Sequence, residues 1–89
     1  MSGYDAVMQI KREQPEWLPA VVLCYQHRGQ FRGQHILEQL PDKHGRTLRP
    51  LVKSGVIEHV RSVAGGAWYR VSDRDGVGRA LRQLRLVWT

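Results

Sequence analysis

The spacing of apolar residues divides the chain into short helical stretches followed by a ribbon. Tyr4 to Glu13 places Val7, Met8 and Ile10 on one side and predicts a short helix, with Asp5 near its start. Pro15 resets the chain and suits the first turn of a second stretch, where a missing N–H costs little. That stretch runs from about Glu16 to His27. Trp17, Leu18, Val21, Val22, Leu23 and Tyr25 leave it almost no polar face, which predicts a helix central to its domain. Arg28-Gly29-Gln30 ends it, and Phe31 is expected as an isolated plug between helices. Gly33 to Leu40 follows as a short helix with Ile36, Leu37 and Leu40 on one face, stopped at Pro41.

The next helix has to accommodate Gly45 and Pro50. An interior proline costs about 3 kcal/mol. Thr47 as the cap puts Pro50 in the first turn instead, so the helix is expected over about 47 to 54, with room for an earlier turn at Asp42 to Arg46. Ser54-Gly55 stops it, since glycine takes the left-handed cap position without steric cost. Val56 and Ile57 are β-branched and start a strand. Ala64-Gly65-Gly66 is a hairpin turn, and Ala67-Trp68-Tyr69-Arg70-Val71 the return strand. In that strand Ala67, Tyr69 and Val71 share one side, expected to face the core, and Trp68 and Arg70 share the other. A last helix over about Gly76 to Val87 carries Val77, Leu81, Leu84 and Trp88 as a stripe, with Arg79, Arg82 and Arg85 mostly off it.

Length and charge sharpen this outline. Eighty-nine residues predict one domain with a small core. No run of eighteen apolar residues exists, so no membrane span is expected. No basic region followed by an apolar stretch marks a leader, and the single Cys24 has no internal partner. Together these point to a cytoplasmic protein. The formal net charge is +6, placed unevenly. Residues 1–42 hold four Lys/Arg against five Asp/Glu, while residues 43–89 hold ten against three. The half containing the ribbon therefore carries +7, a field that attracts polyanions and speeds their encounter.

Three helices followed by a two-stranded ribbon resemble a winged helix-turn-helix domain. The resemblance spans about Glu16 to Ser72. "WLPAVVLCYQHRGQF" matches the first helix, "GQHILEQL" the second, "RTLRPLVKSGVIEHV" the third with the start of the wing, and "RSVAGGAWYRVSD" the wing. The most specific piece is L-x-x-L-V-K-S-G-V-I-E, similar to the end of the recognition helix in many small transcriptional regulators. The resemblance implies an α+β fold that binds double-stranded DNA in a sequence-specific way, with the third helix in the major groove. Leu48, Leu51 and Val52 would be held by the core, leaving Arg46, Thr47, Arg49 and Lys53 for the groove. Arg49 is the first choice for a base contact, because its fork matches guanine. Lys43, His44 and Arg46 lie in the turn or at the helix start, within reach of base edges or phosphates. Arg32 and Gln34 open the second helix beside the expected phosphate backbone. On the wing, Arg61, Ser62 and Arg70 are candidates for phosphate or the minor groove.

Other chemistry is poorly represented. There is no phosphate loop, nucleophile elbow or H-E-x-x-H, and Gly65-Gly66 opens no helix, so an enzyme is not expected. His27, His35, His44 and His59 lack a compact metal spacing, and neither metal nor cofactor is implied. Cys24 sits in the most apolar helix and reads as a buried, inert thiol. Trp68 is expected under the last helix, the alternative being a stack on a sugar or a partner chain. The competing function is a protein–protein adaptor or a piece of a larger nucleic-acid assembly on the same fold. An adaptor would show an apolar or acidic face at Thr47 to Lys53. Two apolar stripes lie outside the resemblance, Tyr4 to Ile10 and Val77, Leu81, Leu84 and Trp88. One could cover the other within a monomer. Covering both, and Trp68 as well, is harder, so the sequence predicts a homodimer built mainly on the last helix.

Overall fold

The computed structural model describes residues 2–40 and 47–87. Ser2 opens helix α1 (Gly3–Glu13): its hydroxyl oxygen accepts from the Asp5 amide at 3.2 Å, and the hydroxyl donates to the Asp5 carboxylate at 3.0 Å. Asp5 in the first turn and Lys11 and Arg12 in the last complement the helix dipole. Ala6, Val7 and Ile10 are buried and Met8 partly so. A 3₁₀ turn at Pro15–Trp17 leads into α2 (Leu18–Gln26). This is the central helix the sequence predicts. Ala20, Val21 and Cys24 are fully buried, Leu18, Val22, Leu23 and Tyr25 pack around them, and α2 touches α1, the next helix, the sheet and the last helix. Burial pushes the Cys24 thiol up to about 12, so it stays protonated and inert.

Phe31 is not an isolated plug. Phe31–Arg32 form a short strand, β1, which pairs antiparallel with the return strand of the ribbon. The next helix, α3 (Gly33–Leu37), is shorter than the Gly33–Leu40 stretch read from the sequence, although backbone bonds from Gln39 to Ile36 and Leu40 to Leu37 continue its turn. The turn expected at Asp42 to Arg46 lies outside the described residues. Helix α4 (Arg49–Ser54) holds Pro50 in its first turn. Gly55 ends it at φ 92°, bonding back to Leu51 and Val52. Strands β2 (Ile57–Val63) and β3 (Gly66–Val71) make the hairpin, and the sheet order is β1-β3-β2. The chain closes with α5 (Arg74–Gln83). The result is a small α+β domain with five α-helices and a three-stranded antiparallel sheet among the described residues.

The two terminal helices pack on each other. Val77 and Leu81 of α5 are 0% exposed, as is Val7 of α1, with Ile10 at 1%. The homodimer stripe expected at Val77, Leu81, Leu84 and Trp88 is therefore corrected. Val77 and Leu81 are spent inside the domain, Leu84 is half-buried against the same core, and Trp88 lies outside the described residues. The physical reason is that α1 and α5 have complementary apolar faces and can approach very closely. A Cβ at Gly3 would stand 2.9 Å from Val77 Cγ2, and one at Gly76 would stand 2.8 Å from the Tyr4 backbone nitrogen. Asp73 fastens the junction by accepting from the Gly3 amide at 2.8 Å and the Gly76 amide at 3.1 Å, so one carboxylate caps both helices. These two bonds, Gly3 first, hold the Asp73 carboxyl below its ordinary range, with the Arg79 charge adding to them.

Candidate nucleic-acid interface

Helix α4 separates its residues cleanly. Leu48 and Leu51 are buried and Val52 is half-buried, whereas Thr47, Arg49 and Lys53 are exposed. Thr47 supports the start of the helix, its hydroxyl oxygen accepting from the Arg49 amide at 3.1 Å. Arg49 and Lys53 are four residues apart, so they stand on one face. Neither makes a side-chain hydrogen bond or ion pair among the described residues. The outward face of this element is thus basic, neither apolar nor acidic. Gln34 is exposed at the start of α3. Lys43, His44 and Arg46 lie outside the described residues.

Helix α3 is set directly against the ribbon. A Cβ at Gly33 would meet the Tyr69 ring at 2.8 Å, so any larger residue here would force the ring to shift. Tyr69 stacks on Phe31 at 6.5 Å between ring centroids and meets the His59 ring edge at 5.6 Å. This is the inner face of the sheet, as the alternation of Ala67, Tyr69 and Val71 predicts.

The outer face holds the basic residues of the wing. Glu58 faces Arg70 across the hairpin, and their side chains pair at 2.6 Å. Both are well exposed, so the bridge adds little stability, but it ties down much of the Arg70 charge. Arg61 and Arg32 both sit opposite Trp68, from β2 and β1 respectively. The Arg61 guanidinium lies over the indole at 5.3 Å, and the Arg32 guanidinium donates to the Gly65 carbonyl in the turn. Arg32 thus opens α3, as the sequence predicts, and its side chain also reaches the wing. Trp68 is relocated. It is partly exposed between two arginines and is not among the side chains packed on the core, so the expectation that it lies under the last helix is corrected.

A shift in register between His59 and Arg61 makes this face possible. It leaves Val60 as an extra residue on β2. Strict alternation would put Arg61 on the same side as His59; the bulge returns it to the side of Glu58 and Trp68. Sequence alternation finds Trp68 and Arg70 on one side but gives no sign of the bulge.

Arg74 has a different task. It donates to the carbonyls of His27 at 3.0 Å and Tyr25 at 2.6 Å and lies over the Tyr25 ring at 4.4 Å, closing the carbonyl end of α2. No group of three or more His, Cys, Asp or Glu side chains is placed to hold a metal among the described residues, and no described helix is long and apolar enough to cross a membrane. No family model matches the chain, nor does any curated protein or solved structure.

Proposed function

We propose that this chain is a winged helix-turn-helix domain that binds double-stranded DNA sequence-specifically, acting as a transcriptional regulator. Helix α4 enters the major groove and the β2–β3 wing rests on the flanking backbone. The observation that carries this reading is the division of α4, where every large apolar residue is turned inward and the outward positions are Thr47, Arg49 and Lys53. A helix whose fully exposed side chains are Thr47, Arg49 and Lys53, next to a ribbon bearing Arg32 and Arg61, fits a polyanion better than an apolar protein partner. The three helices followed by a hairpin, with α3 seated on Tyr69, support the same reading, as does the +7 charge of residues 43–89. Arg49 is assigned to a base edge and Lys53 and Arg61 to phosphates, whereas Arg70, expected from the sequence to join them, is engaged by Glu58. Lys43, His44 and Arg46 are assigned by sequence to the approach to the helix.

Selection of bound duplexes from a random pool tests this. The parent chain should enrich a consensus. Arg49→Ala should lose about 1–3 kcal/mol on that consensus and relax the preference at one position. Recovery of the same consensus at the same affinity with Arg49→Ala would show that α4 does not read the bases.

A further inference from the structure

We infer that the outer face of the sheet is a second nucleic-acid surface, one that takes an unpaired strand by stacking a base on Trp68. Three strands converge on this residue. Arg32 of β1 and Arg61 of β2 are its direct cross-strand partners, so Arg32, Trp68 and Arg61 form one row across the sheet. Neighbouring strands lie about 4.8 Å apart, so the two arginine backbones flank the indole at about 5 Å on each side. An aromatic plane between two guanidinium groups offers an unpaired nucleotide both of the contacts it needs, a surface for the base and cations for the adjoining phosphates.

Several features indicate that this row is built and not incidental. The bulge at Val60 brings Arg61 to the Trp68 side, at the expense of a regular ladder. Arg32, the β1 partner of Trp68, is held by the Gly65 carbonyl, which keeps its guanidinium at the wing turn. Tyr69, the next residue, packs on the core, while Trp68 does not. Glu58 is the one acidic residue in the three strands, and Arg70 neutralises it. Val63, 49% exposed near the tip of the wing, extends the apolar part of the same face past the arginines.

In the free chain the Arg61 guanidinium covers the indole at 5.3 Å. When a strand docks, a base takes the ring face and Arg61 moves to the adjoining phosphate. A duplex keeps its bases stacked inside the helix and has none to offer this ring. The surface therefore discriminates in favour of single strands, whereas the α4 face requires a groove. The inference stands on the sheet and is independent of the assignment of α4; it shares Arg61 with the proposed wing contact to a duplex.

The test measures fluorescence anisotropy of a labelled oligothymidylate of about ten nucleotides, alongside a labelled duplex, with the full chain. The parent should bind the oligothymidylate, and Trp68→Leu should weaken that binding about tenfold or more, the loss of one stacked base. Trp68→Phe should recover most of it, which a purely structural role for the indole would not require of a smaller ring. Thermal melts of both variants establish that they are folded. Arg49→Ala with Lys53→Ala should leave the oligothymidylate affinity unchanged while reducing that for the duplex. Absence of oligothymidylate binding by the parent, equal binding by folded Trp68→Leu, or displacement by polyglutamate as readily as by unlabelled oligothymidylate would overturn the proposal. The duplex arm separately decides the function assigned to α4.

Discussion

Gly76→Ala should destabilise this domain, against the usual rule for helices. Replacing a helical glycine with alanine ordinarily gains up to about 1 kcal/mol, because alanine gives up less backbone freedom on folding. Here the added Cβ would lie 2.8 Å from the backbone nitrogen of Tyr4 and closer still to the Asp73 carboxylate that caps both helices. A backbone atom cannot rotate away, so α1 must move off α5 or the shared cap must open. Forcing a methyl into a packed site typically costs about 1–3 kcal/mol. Set against an intrinsic gain of about 1 kcal/mol, the net loss is about 0–2 kcal/mol, and for a domain of this size Tm falls about 4–8 °C per kcal/mol. Circular dichroism melts of the parent, Gly76→Ala and Gly29→Ala measure it. A Cβ at Gly29 meets none of the described residues within 4 Å, so that control should stay within about 0.5 kcal/mol of the parent. A Tm for Gly76→Ala above that of the parent would refute the close approach of α1 and α5.

The same junction governs two further outcomes. Leu81 is 0% exposed, so Leu81→Ala should cost about 2–5 kcal/mol in denaturant titrations without changing the sedimenting mass; a change of mass at constant stability would return α5 to a subunit interface. The Asp73 carboxyl is held below its ordinary value by the Gly3 and Gly76 amides, so its contribution is fully present above the unfolded-state value near 3.8 and is lost as pH falls through the lower folded-state value. The stability gap between the parent and Asp73→Asn, followed by melts from neutral to acid pH, should therefore narrow below about pH 4; a gap that widens there would contradict the double cap.

The periodicity of the chain locates α1, α2, α4 and the hairpin because each carries enough residues for its own pattern, and Gly55 marks its cap by residue type alone. Strand β1 has two residues, too few for any period, and exists only because Phe31 and Arg32 meet Tyr69 and Trp68. The apolar stripes of α1 and α5 are visible in the sequence, but their mutual burial is not. The glycines that permit it, Gly3 and Gly76, read as weak helix residues until their neighbours are known. The basic character of α4 follows from its spacing. The wing surface does not, because the Val60 bulge decides which side Arg61 takes and the hairpin register decides that Arg70 meets Glu58.

The claim that α4 and the wing hold duplex DNA is tested most directly by the salt dependence of binding. Anisotropy titrations of the selected duplex across a series of salt concentrations give the slope of log affinity against log salt. For the parent chain the slope should be steep, and Lys53→Ala should reduce its magnitude by about 0.9, the value of one phosphate contact. Negligible binding to every duplex at low salt, or a slope unchanged by Lys53→Ala, would contradict the account.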